Sequence, residues 1–158
     1  KNEKITLHIH GIPSHLFISE SYWHKTCEYT GVYYHGPFIY PNDLHSIYKK
    51  CHFVWSSELL EEEERNQWPI SNRYYEAGIS MTPQLSVNPK HNMSKMILAN
   101  GIGLVIDSPY FKTLDVRLSR LTVKEYNSFI TAYKNISSSM FSGSDDVRRI
   151  QKHLEAQK

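Results

Sequence analysis

The strongest chemical signal in the chain is the stretch Ser71-Asn72-Arg73 followed three residues later by Glu76. Ser71 or Asn72 can cap a helix N-terminus, because a short polar side chain accepts a hydrogen bond from an otherwise unpaired amide. Such an end exposes amide hydrogens and a partial positive charge, which suits a phosphate. Arg73 adds a planar fork of donors for the same anion. Glu76, one turn deeper, can accept hydrogen bonds from a neutral sugar, and the combination suits a nucleotide-sugar. Plainer readings exist for each residue. Arg73 also fits a surface helix terminus, and a solvent-facing Glu76 interacts with the helix dipole for only ~0.3–1 kcal/mol. Two charge-assisted bonds to ribose hydroxyls supply roughly 1.5–3 kcal/mol each, and the setting of Glu76 between Tyr75 and the small Ala77-Gly78 pair favours that use.

Other groups are weaker. Gly11, after an alternating apolar stretch, lets a diphosphate approach the backbone because no Cβ intervenes, and it equally serves a simple turn. His8 and His10 share one face of that stretch, a spacing that can hold a metal. No third ligand stands near them in sequence, so no metal site is expected, and His10 is left as a contact for a diphosphate. Asn92-Met93-Ser94 and Asn135-Ile136-Ser137 match the glycosylation acceptor pattern, but with no signal peptide visible in these residues they are expected to be chance matches. The chain has no nucleophile elbow, no phosphate loop ending in Gly-Lys-Ser/Thr and no Gly-x-Gly-x-x-Gly after its first strand. Hydrolase, P-loop NTPase and nicotinamide oxidoreductase readings lose their main support.

The elements that must position these groups alternate regularly. Strands are expected at 5–10, 30–36, 51–55, 84–87 and 102–107, and helices at 14–26, from 41 or so through Tyr48, near 72–81 and at 91–100. Gly78 to Met81 closes the helix carrying Glu76, Thr82-Pro83 lets the next strand begin, and Gly101 stops the helix before the fifth strand. A long helix over 122–141 is capped by Thr122 with Glu125 completing a capping box, and Asp145-Asp146 opens a last one. The acidic run Glu61 to Glu64 reads as a solvated face or loop. Each crossover between parallel strands needs a helix, so the pattern predicts an α/β fold of the Rossmann-like, doubly wound class: a mostly parallel sheet with helices on both faces. In such sheets ligands bind outside the carboxyl ends of the strands, near a reversal of strand order.

Composition sets the outer limits. A chain of 158 residues is one domain of ordinary size with enough length for a core. Two cysteines are too few for a disulfide framework and fit a reducing, cytoplasmic compartment. Eighteen Lys plus Arg against 16 Asp plus Glu give no basic field of the kind nucleic acid demands. No run approaches the ~18 apolar residues of a spanning helix. Eleven tyrosines serve core packing or sugar stacking alike. The abrupt start at Lys1, with a strand a few residues later, suggests part of a larger protein.

Taken in order, a strand ending in Gly11, a strand running into Tyr34-His35-Gly36-Pro37, a helix with Leu44-x-x-Ile47-Tyr48, a short strand, Asn72-Arg73-Tyr74-Tyr75-Glu76-Ala77-Gly78, and a strand after Pro83 resemble the C-terminal half of GT-B glycosyltransferases. The nearest likeness is to bacterial polysaccharide and capsule enzymes with an Asn-Arg-x-Tyr-Glu motif. The resemblance implies a glycosyltransferase of hexosyltransferase type whose Rossmann-like domain binds the nucleotide-diphosphate sugar donor. A preceding N-terminal domain binds the saccharide or lipid-linked acceptor, and the domain alone is expected to transfer nothing. Carried over, Glu76 holds the ribose, Asn72 and Arg73 with adjacent amides hold the diphosphate, and Trp55 to Glu58 with Trp68 to Ser71 wall the base. The turns at Gly11 and at 88–92, with Asn88 and His91, face the diphosphate and donor sugar. No metal and no cofactor is implied beyond the donor, and peripheral association of the full-length protein with the inner face of the membrane stays open. Many retaining members carry a second glutamate eight positions before the ribose-binding one, and Trp68 occupies that position here. The departure leaves the stereochemical outcome open and supports a rival reading, a non-catalytic interaction domain that keeps the scaffold.

Overall fold

The computed structural model of the chain describes residues 5–14, 18–57, 70–107 and 109–142. The protein is α/β, with parallel strands in sheets flanked by helices. Its internal contacts divide it into two compact units, residues 1–44 and 45–158. The five predicted strands all exist, but the two in the smaller unit and the three in the larger one form separate ladders.

In the smaller unit β1 (Leu7–Ile9) pairs parallel with β2 (Val32–Tyr34), with His8 opposite Tyr33 and Ile9 opposite Tyr34. Between them runs α1 (Glu20–Cys27), which starts later than periodicity suggests because Ser19 is the residue whose Oγ accepts from the Tyr22 amide, at 3.3 Å. Trp23 of α1 meets the Tyr34 ring edge-on at 4.9 Å between centroids. Alternation puts His8 on the opposite face, where Tyr33, His8, His35 and His10 stack in that order. None of the described residues of this unit is buried.

The larger unit contains the described core. Its sheet has the order β3 (Val54–Trp55), β4 (Gln84–Val87), β5 (Gly103–Ile106), all parallel. A short α2 (Leu44–Tyr48) precedes β3, α3 (Asn72–Ile79) links β3 to β4, and α4 (Asn92–Asn100) links β4 to β5. After the sheet come α5 (Tyr110–Ser119), α6 (Val123–Lys134) and α7 (Ser139–Ser142). One apolar cluster joins Tyr74 of α3, Met93 and Ile97 of α4, Ile102, Tyr133 and Phe141. A second joins Leu85, Val87, Leu104 and Ile106 to Phe129 of α6, with Leu114 and Leu118 of α5 against them. Side chains alternate across a strand, so the two clusters are the two faces of one sheet, each covered by helices. Burying an aliphatic or aromatic side chain there contributes ~1.5–3 kcal/mol.

β4 is buried along its whole length, yet it is not apolar. Gln84 and Ser86 face the α3 and α4 side, fully buried and fully partnered. Gln84 Nε2 donates to the Tyr74 carbonyl at 3.1 Å, its Oε1 accepts from Ser56 Oγ at 2.8 Å, and Ser86 Oγ lies 2.7 Å from Ser94 Oγ. Satisfied groups of this kind avoid the desolvation penalty of a lone buried amide or hydroxyl.

Two expectations change and one is sharpened. The helix carrying Glu76 closes within residues 78–81 as expected, with Ser80 as its C-cap and Gly78 buried inside its last turn. The left-handed turn that follows is taken by Met81, at φ 53°, and Gly78 is needed because Phe141 of α7 packs onto it. The helix expected at 122–141 breaks after Lys134, with Asn135 as C-cap, and resumes as α7. The residues from Tyr110 to Ser119, for which no helix is expected, form α5. Thr122 does cap α6, its Oγ1 accepting from the Glu125 amide at 3.1 Å. The Glu125 carboxylate pairs with Arg117 instead of closing the box. The helix expected from Asp145 and the acidic run at 61–64 lie outside the described residues.

Candidate functional site

A crossover helix runs antiparallel to the strands it connects, so the N-termini of α3 and α4 both lie at the carboxyl edge of the larger sheet. The described strands follow one another in sequence order, so the reversal expected to mark a ligand crevice does not occur among them. What marks the site is the convergence of side chains on α3.

Ser71 caps α3, its Oγ accepting from the Arg73 amide at 3.3 Å and from Arg73 Nε at 3.3 Å. Of the two candidate caps, Asn72 is instead the first helical residue and is exposed. The Arg73 guanidinium makes no ion pair among the described residues. Glu76, half-buried, lies one turn along the same face, the spacing at which helical side chains are neighbours. Tyr48, at the end of α2 and only 9% exposed, donates its O–H to Glu76 Oε2 at 2.8 Å. Glu76 Oε1 has no hydrogen-bond partner among the described residues. Tyr48 is held in turn through its carbonyl, which accepts from Thr82 Oγ1 at 3.3 Å and from the Cys51 amide at 3.0 Å.

The electrostatics follow from that arrangement. Burial first, then the hydrogen bond and charge of Glu76, push the Tyr48 phenol well above its ordinary range, and nearby Arg73 offsets only part of this. The phenol therefore keeps its proton and always donates. Cys51 is raised too, by burial alone, which disfavours its thiolate.

The α4 end is built differently. Asn88 takes φ 61° and closes a turn in which its Oδ1 accepts from the Lys90 amide at 3.1 Å and its carbonyl from the His91 amide at 3.1 Å. Its Nδ2 lies 3.0 Å from His91 Nε2. His91 is the N-cap of α4 but supplies no side-chain capping bond. A buried serine chain underlies this edge. Ser57 Oγ meets Ser86 Oγ and accepts from the Val87 amide, while Ser94 Oγ donates to the Val87 carbonyl.

Gly11 and His10 belong to the smaller unit. Gly11 adopts φ 120° with nothing within 4 Å of the place a Cβ would occupy. Its amide is engaged by the Gly36 carbonyl at 2.8 Å, and its own carbonyl accepts from Tyr34 O–H at 2.8 Å. His10 stacks on His35 at 4.4 Å between centroids. Trp68 lies outside the described residues. Among the described residues no three His, Cys, Asp or Glu come together as metal ligands. The structure thus gathers Ser71, Arg73 and Glu76 around one helix turn and Asn88 with His91 around another. It also adds Tyr48, which the sequence presents only as one more apolar-stripe residue beside Leu44 and Ile47.

Over 93 residues, 59% of its length, the chain is 27% identical to the succinoglycan biosynthesis protein ExoL of Rhizobium meliloti. The match spans 23% of that relative, so the chain corresponds to less than a quarter of it. No family model matches the chain, and no solved structure does. Among the described residues no helix is long and apolar enough to cross a membrane.

Proposed function

We propose that the chain is the nucleotide-sugar-binding part of a GT-B glycosyltransferase acting in polysaccharide biosynthesis. The observation that carries the reading is Glu76: a half-buried carboxylate one turn inside a serine-capped helix, anchored through one oxygen by Tyr48, with Arg73, which makes no ion pair among the described residues, one turn before it. A carboxylate so placed accepts hydrogen bonds from ribose hydroxyls, and Arg73 with the first amides of α3 takes the diphosphate. The similarity to a succinoglycan biosynthesis protein supports the same direction.

In this reading the donor is a nucleoside-diphosphate hexose, and the acceptor is a saccharide or lipid-linked saccharide bound by another domain of a longer protein. The leaving diphosphate is stabilised by preorganised amides and the Arg73 cation, the electrostatic strategy that serves transition states best in a partly dry site. Asn88 and His91 at the α4 turn are the proposed contacts for the donor's sugar end. The proposed place of action is the cytoplasm.

Titration of the chain with uridine and guanosine diphosphates, followed through backbone amide shifts, tests the proposal. Shifts are expected at residues 71–76 for one nucleotide, with Glu76→Gln weakening it about tenfold or more. Silence from both at millimolar concentration refutes the proposal and favours a non-catalytic interaction domain, the role that Trp68 in place of a second glutamate also suits.

A further inference from the structure

Resting on that reading, we infer that Tyr48 is the positioning residue of the ribose site, the group that fixes which oxygen of Glu76 meets the sugar diol. A glutamate side chain has three rotatable bonds, and an unrestrained one loses that freedom when it binds a ligand. Here the freedom is already gone. The Tyr48 ring is buried, and its carbonyl is pinned by Thr82 Oγ1 and the Cys51 amide. From that fixed base its O–H holds Glu76 Oε2 at 2.8 Å, and Oε1 is the oxygen without a partner among the described residues. The raised phenol keeps its proton and so stays the donor in this bond. Arg73, on the same helix face, is close enough to act on the phenol, so the three groups form one cluster contributed by α2 and α3. The bond is long-range in sequence and joins the element before β3 to the helix after it, which is what preorganisation of a first contact by a supporting group requires.

The consequence is a specific one. Tyr48 contributes nothing to the diphosphate or the base, so its removal should weaken only the recognition of ribose hydroxyls. The test compares whichever of uridine or guanosine diphosphate binds more tightly with its 2′,3′-dideoxy form, by calorimetry on the unaltered chain, Tyr48→Phe, Glu76→Gln and the double variant. Tyr48→Phe keeps the ring and its packing and deletes one oxygen. The expected result is that Tyr48→Phe shrinks the preference for the ribonucleotide roughly three- to tenfold and leaves dideoxynucleotide affinity unchanged. The double variant should bind the ribonucleotide no worse than Glu76→Gln alone. Equal weakening of both ligands by Tyr48→Phe makes its role merely structural and overturns the inference. Ribonucleotide binding that Glu76→Gln impairs while Tyr48→Phe leaves the preference intact overturns this inference and spares the proposed function. Binding of neither diphosphate overturns both.

Discussion

Replacing Gly78 with alanine sets two effects of known size against each other. On propensity alone, alanine in a helix interior gains ~0.8–1 kcal/mol over glycine. Yet a β-carbon at 78 would meet Cδ1, Cγ and Cε1 of Phe141, all at 2.5 Å or closer. Carbon atoms pack at about 3.5–4 Å, so the ring or the helix must give way by about 1 Å or more. Phe141 is 5% exposed and packs with Tyr74 and Tyr133, so the ring has no free direction, and overpacking of this kind costs ~1–3 kcal/mol or more. The packing term wins, and Gly78→Ala should fail to stabilise the protein, with a net loss of up to about 2 kcal/mol. Phe141→Ala alone should cost ~3–5 kcal/mol. The double variant should be about 1 kcal/mol or more better than the sum, because the new methyl occupies part of the vacated space. Urea denaturation of the three variants measures all these values. Gly78→Ala that stabilises by the full propensity gain, or a cycle that is strictly additive, refutes the packing of α7 on α3 described above.

Other consequences are simpler. The Tyr74 hydroxyl is buried without a hydrogen-bond partner among the described residues, and burial pushes its phenol up to about 12, with Asn100 pulling the other way from beyond hydrogen-bond geometry. Tyr74→Phe should therefore leave stability unchanged or raise it by up to ~1 kcal/mol, where loss of a partnered hydroxyl costs that much; a clear loss in thermal unfolding contradicts the orphaned group. Gly103 faces the Gln84 backbone across the ladder with no room for a β-carbon, so Gly103→Ala should separate β4 from β5 and cost ~2 kcal/mol or more; wild-type amide exchange in those strands would refute it. Arg117 holds the Glu125 carboxyl below its ordinary 4.5, with burial opposing and the Thr122 bond helping. A depressed acid stabilises the fold above its unfolded value and loses that contribution as pH falls through the folded value. The pair is about a third exposed, so Glu125→Gln should cost only ~0.2–1 kcal/mol at pH 7, and the difference from wild type should vanish as pH drops below 4.5; a pH-independent difference refutes the assignment.

What was legible in the sequence is local. The span of β4, the Gly101 stop of α4 and the Thr122 cap of α6 are written in neighbouring residues, and each stands where expected. The break between α6 and α7 was hidden because Tyr133, Ile136 and Met140 keep helical spacing through it. The same core face continues after the backbone stops being helical. α5 was missed because Pro109 as N-cap offers no side-chain capping bond, although Leu114 and Leu118 line its inner side. Of the candidate site, the Ser71 to Glu76 turn was readable, while Tyr48 was not. Its partner is 28 residues away, and a tyrosine on an apolar stripe announces only that its hydroxyl needs something. The packing role of Gly78 was unreadable for the same reason, although the helix closes where it should: its neighbour is Phe141, far along the chain.

The arrangement of the larger unit explains why the site falls where it does. With strands in the order β3, β4, β5 and right-handed crossovers, α3 and α4 must cover the same face, and the shared cluster of Tyr74, Met93 and Ile97 has that composition. Their N-termini are then neighbours at one edge of the sheet. On that face β4 presents Gln84 and Ser86 instead of aliphatic residues, and their bonds reach Ser56, Ser57 and Ser94. Dispersion packing alone tolerates small shifts, whereas each of these hydrogen bonds has a narrow range of distance and angle. A fully satisfied buried polar network therefore ties the end of β3 and the first turn of α4 to the central strand more tightly than apolar contacts would. The face that carries Arg73 and Glu76 is also the one whose geometry the buried polar groups fix, and the recognition of ribose hydroxyls proposed for Glu76 would draw on that rigidity.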